Sequence, residues 1–178
     1  ELMLGPSLLV ASIVAPGATT RSLYLPDGAD WYDYWRGVVH SGGQTVTVSA
    51  AWGQPPLFVR AGSVLPVNVA EQHFAKPADE RAFEIFPLLR ERPFEWECFE
   101  DDGETFGYQH RRFVEWRLCV TPSDMLFGFG REAPFTIPTE VKLILPPSER
   151  RAIVCAAGRV VSDSAAAGRH VVVVAPQR

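Results

Sequence analysis

Apolar and polar residues alternate with a period of two along much of this chain. Val114, Trp116, Leu118 and Val120 interleave with Phe113, Glu115, Arg117 and Cys119, so a strand there turns a wholly apolar face toward a core. Thr45 to Val48 and Phe94 to Cys98 alternate in the same way and read as half-buried strands. Runs of Val, Ile, Leu and aromatic residues extend the series at Leu8 to Val14, Ser22 to Leu25, Leu57 to Arg60, Val64 to Val69, Val141 to Leu145, Ile153 to Cys155 and His170 to Val174. Each is bounded by Gly, Pro or Asp. Pro77 to Leu89 begins with a proline that suits a first helical turn, yet Phe83, Ile85 and Pro87 fit a strand, and it is read as one. Short strands, frequent turns and no clear helix predict an all-β chain of antiparallel β-sandwiches.

The polar stretch Ala70 to Glu80 separates two strand-rich regions, and the expected domains are residues 1–75 and 76–178. A length of 178 residues accommodates two small sandwiches and excludes a complete αβ-barrel enzyme, which needs about 250. An apolar content of 47% supplies two cores and excludes general disorder. A net charge of -4 gives no electrostatic reason to attract nucleic acid. The chain enters at Glu1 directly into an apolar run, which reads as a cut edge, and the first basic residue is Arg21, so no secretory signal is expected. Pro6, Pro16 and Gly17 interrupt that run before it reaches membrane-spanning length. Cys98, Cys119 and Cys155 lie 21 and 36 positions apart, unlike zinc-site spacings, and read as free thiols that favour a cytoplasmic location.

Few residues suggest chemistry. Glu100, Asp101, Asp102 and Glu104 crowd around Gly103. Adjacent strand residues point to opposite faces, so they do not form a converging glycosidase pair, and they lack the alternating ligands of a calcium loop. An Asp102-Gly103 hairpin turn accounts for them. Gly128, Gly130 and Ala133 match the letters of a dinucleotide fingerprint, but Pro134 and Pro138 oppose a following helix, and the segment reads as a loop. His40, His73, His110 and His170 share no ligand-like spacing, and Ser164 to Gly168 reads as a turn. No catalytic, cofactor-binding or metal-binding residue is assigned, and no cofactor is expected. The sharpest local feature is Trp31-Tyr32-Asp33-Tyr34-Trp35, which as a strand would place Trp31, Asp33 and Trp35 on one face and Tyr32 and Tyr34 on the other. Exposed, the tryptophans would stack on sugars; buried, they would anchor a core or a domain interface.

Taken in order, several motifs resemble one family. Gly5-Pro6-Ser7-Leu8-Leu9-Val10-Ala11, Tyr24-Leu25-Pro26, the Trp31 to Trp35 cluster with Gly37, Gly42-Gly43, and Pro56-Leu57-Phe58-Val59-Arg60-Ala61-Gly62-Ser63-Val64-Leu65-Pro66 are similar to the region after the catalytic barrel in glycoside hydrolase family 31. Phe99-Glu100-Asp101-Asp102-Gly103 with Tyr108 resembles the acidic hairpin of that family's distal domain. The resemblance implies a proximal and a distal β-sandwich supporting the barrel of a retaining α-glucosidase or α-xylosidase. Both catalytic aspartates would lie on that barrel, outside this chain. The implied partners are the barrel of the same polypeptide and a carbohydrate substrate, with neither nucleic acid nor membrane. The alternative is a stand-alone carbohydrate-binding module using Trp31, Trp35 or Trp52 as its platform.

Overall fold

A computed structural model describes residues 1–68, 80–90, 92–101, 105–131, 138–156, 158–166 and 169–176. It forms two compact units, one comprising Glu1–Ser63 with Phe86–Leu89 and the other Val64–Ile85 with Arg90–Arg178. Of the expected linker Ala70 to Glu80, residues 70–79 lie outside the described residues and Glu80 opens a strand, and the division falls at Ser63 and Val64. The reason is sheet pairing: the strand that begins at Ser63 hydrogen-bonds into the sheet of the second unit.

The first unit contains β1 (Leu2–Leu4), β2 (Leu8–Val10), β3 (Thr20–Leu25), β4 (Asp30–Asp33), β5 (Val39–Ser41), β6 (Gln44–Ser49) and β7 (Leu57–Arg60). One sheet runs β1-β2-β7-β4-β5, and β3 pairs with β6 in a second, every pair antiparallel. Along β3, Leu23 and Leu25 are buried while Ser22 and Tyr24 face out, as the two-residue period requires. They meet Leu9, Ala11, Trp31, Val48 and Phe58 in one apolar core. The run from Leu8 leaves its strand at Val10, earlier than its apolar pattern suggests, although the Ala11 N–H still reaches the Pro56 carbonyl at 3.0 Å.

The Gly42-Gly43 turn between β5 and β6 shows why a glycine is needed. The Gly42 N–H donates to Ala29 O at 2.8 Å and the Gly43 N–H to Leu25 O at 2.8 Å. A Cβ on Gly42 would stand 2.1 Å from the Pro26 oxygen and 2.6 Å from the Ala29 oxygen, both backbone atoms. Gly42→Ala is therefore expected to lower stability by about 1 to 3 kcal/mol, read from the urea midpoint of the first unit. An unchanged midpoint would mean that these carbonyls yield freely.

The second unit contains β8 (Ser63–Asn68), β9 (Glu80–Phe86), β10 (Phe94–Glu100), a 3-10 helix (Phe106–His110), β11 (Val114–Val120), β12 (Asp124–Arg131), β13 (Glu140–Leu145), β14 (Ala152–Cys155), β15 (Gly158–Ala166) and β16 (Arg169–Pro176). The end residues Ser63 and Phe86 group with the first unit. The sheets run β10-β11-β12-β14 and β15-β16-β13-β9-β8. Trp116, Leu118 and Val120 from β11, with Met125 and Phe127 from β12, meet Phe83, Ile85, Val141, Leu143, Leu145, Val172 and Val174 from the other sheet. The all-β reading holds, and the fold is a β-sandwich with a sheet-on-sheet core. Two pairs, β12 with β14 and β9 with β13, are parallel, so the sheets are mixed.

Two local expectations change. Gly128 and Gly130 lie within β12, held extended by pairing with Arg117 and Glu115 of β11, and Ala133 lies outside the described residues. Of the expected turn Ser164 to Gly168, Ser164 to Ala166 continue β15, held by pairing with β16, and Ala167 and Gly168 lie outside the described residues. Among the described residues, no helix is long and apolar enough to cross a membrane.

Candidate functional site

The aromatic cluster of the first unit divides its side chains between burial and exposure. Trp31 and Tyr32 are both buried, at 2% and 5% exposure. The Trp31 ring lies in the apolar core and its Nε1 donates to Pro26 O at 3.0 Å. Tyr32 donates its hydroxyl to Pro87 O at 2.8 Å and sits edge-on to Phe86. β4 ends at Asp33, so the expected shared face of Trp31, Asp33 and Trp35 does not form. The buried Asp33 carboxylate stops the strand by accepting the Trp35 and Arg36 N–H groups at 3.0 and 3.1 Å. It also pairs with the Arg36 guanidinium at 2.9 Å. Trp35 is thereby turned outward, 38% exposed, with Nε1 bonded to Pro55 O at 2.7 Å. Trp52 stands fully exposed beside Gly53, whose φ of 77° closes the turn bridged by Ala51 and Gln54. Trp31 is thus a core residue and no platform, whereas Trp35 and Trp52 face solvent.

In the second unit, Phe99, Glu100, Asp101, Tyr108 and Phe113 line a groove of about 540 Å³. Burial alternates along β10, and Phe99 occupies the exposed face that also carries Glu95 and Glu97. It packs edge-on against Phe113, with ring centroids 5.4 Å apart. Tyr108 is carried by the 3-10 helix, which Thr105 caps by accepting the Gly107 N–H at 3.1 Å. Arg111, with φ of 60°, ends that helix by donating its N–H to Tyr108 O. The Glu100 side chain lies on the opposite face of β10, where one carboxylate oxygen pairs with Arg81 and the other accepts Trp116 Nε1–H at 2.9 Å.

Burial pushes the Cys98 thiol up, with the Arg81 charge offsetting part of the effect. Cys98, Cys119 and Cys155 are all free thiols. His40 packs edge-on against Phe58, and His170 bonds to Asp163 at 2.5 Å. His73 and residues 102–104, including the expected Asp102-Gly103 turn, lie outside the described residues. Among the described residues, no three His, Cys, Asp or Glu side chains gather as a metal site.

Phe99 and Phe113 were not singled out in the sequence as a joint site. Their signal is an aromatic residue on the polar face of β10 and another directly before β11, and their meeting depends on register: Phe99 stands opposite Glu115 and Glu100 opposite Val114.

Residues 1–65, which include all seven strands of the first unit, match the model of the glycosyl hydrolase family 31 C-terminal domain. The chain belongs to glycoside hydrolase family 31. It is 32% identical over 120 residues to α-glucosidase 2 of Bacillus thermoamyloliquefaciens, an alignment covering 67% of this chain and 15% of that protein. Over 118 residues it is 31% identical to the α-xylosidase of Saccharolobus solfataricus, covering 64% of this chain and 15% of that protein. The crystal structure of the family 31 α-xylosidase from Xanthomonas citri superposes with a TM-score of 0.66 at 28% identity, covering 80% of this chain and 16% of the enzyme. The chain thus spans about 15% of the length of the curated relatives it matches. In family 31 terms it carries the non-catalytic C-terminal portion, and the family's catalytic domain is not among its 178 residues.

Proposed function

We propose that the polypeptide bearing this chain is a retaining α-glycosidase acting on α-glucosides or α-xylosides, and that this chain supports its catalytic barrel. The observation that carries the reading is the match of residues 1–65 to the family's C-terminal domain. That unit exposes Leu2, Leu4, Val14, Val38 and Trp52, apolar surface of the kind a docked domain covers. In retaining chemistry one carboxylate attacks the anomeric carbon to form a glycosyl-enzyme, while a second protonates the leaving oxygen and then activates water. Both groups belong to the barrel. The role left to this chain is to hold the barrel and its loops in place. Three free thiols support a reducing, cytoplasmic setting.

The test compares the purified 178-residue chain with the full-length gene product on aryl α-glucoside and aryl α-xyloside. Turnover is expected from the full-length protein and none from the chain. Hydrolysis by pure chain, or a full-length product inert on both substrates, overturns the reading. A second reading, a stand-alone carbohydrate-binding module, draws on the complete exposure of Trp52. It requires saturable fluorescence quenching by maltooligosaccharides that disappears in Trp52→Ala.

A further inference from the structure

We propose that one end of the first unit, formed by residues 11–19, 34–38 and 50–56, is the surface on which the catalytic domain of the same polypeptide docks, with Trp52 as its central anchor. This rests on the proposed function above and deepens it by naming the face that meets that domain. Hydrogen bonds bring the three connections together. The Ala11 N–H reaches Pro56 O at 3.0 Å and the Ala50 N–H reaches Thr19 O at 2.8 Å, which ties both ends of the first connection to the third. Trp35 Nε1 donates to Pro55 O at 2.7 Å and Arg36 Nη2 to Ser49 O at 3.0 Å, which ties in the second. The end so built presents Val14 at 79% exposure, Val38 at 50%, Trp35 at 38% and Trp52 in full.

Its chemistry points to a protein surface as the occupant. In a chain that is 21% charged, the only charged residue of these three connections is Arg36, and its guanidinium is turned back onto Asp33 and Ser49. Asp27 and Asp30 stand at the opposite end of the unit, around the Gly42-Gly43 turn. The centre of a protein–protein contact is depleted of charge and rich in tryptophan. A sugar's hydroxyls are offered no carboxylate here, because Asp33 is buried and already holds two backbone N–H groups and Arg36. The turn beneath Trp52 is fixed by the Ala51–Gln54 bridge and by Gly53 at a φ of 77°, so seating the indole orders little besides its own side chain. The chain spans about 15% of the length of its curated relatives, and its family bears the catalytic domain on the same polypeptide. A domain joined covalently meets this surface at an effective concentration on the order of millimolar, which favours it over a separate partner.

The test places the photoreactive residue p-benzoylphenylalanine at position 52 of the full-length protein and maps its cross-links by mass spectrometry. A cross-link within one molecule to a peptide of the catalytic domain is expected. Cross-links confined to residues 1–178, cross-links only between two molecules, or none at all overturn the proposal. Hydroxyl-radical labelling of the wild type keeps the test decisive should the substituted protein fail to fold. Since a central anchor is fully desolvated, Trp52 is expected to oxidise about tenfold more slowly in the native full-length protein than in urea, and a difference under about twofold overturns the proposal. Protection that arises only when maltooligosaccharide is added overturns it too, in favour of a sugar platform. Neither readout needs turnover, so a full-length product inert on aryl glycosides would sink the proposed activity and leave this result readable.

Discussion

Trp116→Ala is expected to remove about 3 to 5 kcal/mol from the stability of the second unit. The ring is 1% exposed and lies among Phe83, Phe127 and Phe129, with centroid separations of 5.3, 6.0 and 5.9 Å. It stacks on Phe127 at an interplanar angle of 20°. Truncation leaves a cavity between two sheets, each kept rigid by its own backbone hydrogen bonds, so little collapse can refill it. It also withdraws the donor that orients Glu100. Trp116→Phe separates the two effects: most packing survives, the hydrogen bond does not, and a loss of about 1 to 3 kcal/mol is expected. Urea unfolding followed by far-ultraviolet circular dichroism checks both. An alanine variant within 1 kcal/mol of wild type would show that the core repacks around the gap.

Breaking the Glu149–Arg151 pair should rank beside it. Both side chains are buried, and the guanidinium grips the carboxylate at two points, Nε to Oε1 at 2.9 Å and Nη2 to Oε2 at 2.7 Å. The N–H groups of Arg150 and Arg151 donate to the same Oε1 at 2.9 and 2.8 Å. Burial pushes the Glu149 carboxyl up, but the hydrogen bonds and charge of Arg151 together with the Arg150 N–H more than offset this and hold it below the ordinary glutamate value. A depressed carboxyl contributes stability that is present above its unfolded pKa, about 4.3, and lost as pH falls through its folded value. Arg151→Ala strips that carboxylate of its partner and is expected to cost about 3 to 5 kcal/mol at neutral pH. Stability below about pH 4.3 should then fall less steeply in the variant than in wild type. Equal acid limbs in the two proteins, measured by urea midpoints from pH 7 to pH 3, would exclude the pair as a source of acid sensitivity.

Much of the strand content is legible in the residues themselves. Leu57 to Arg60 is a strand over the range its apolar run marks, and the alternation around Trp116 correctly names the buried face of β11. Each case depends on a two-residue period that local geometry enforces. Gly128 and Gly130 mislead because a glycine-rich segment has weak strand preference of its own, and pairing with β11 keeps it extended. The Trp31 to Trp35 cluster misleads for a different reason. Its period breaks at Asp33, where a buried carboxylate captures two backbone N–H groups, and no hydrophobic pattern encodes that capture.

The groove was only partly legible. Phe99, Glu100, Asp101 and Tyr108 belong to the acidic motif that resembles the family, but Phe113 reads alone as an aromatic among the polar positions of its alternation. They become one surface because β10 and β11 pair antiparallel with Phe99 opposite Glu115. Alternation, turn residues and ordered motifs thus determined by themselves that this protein is all-β, which strand faces are apolar and to which family it belongs, since each is carried by residues close together along the chain. Which strands become neighbours, where the first unit ends and which aromatics line one groove were decided by the tertiary structure alone. These depend on hydrogen bonds and packing between residues far apart in sequence, whose register no local pattern contains.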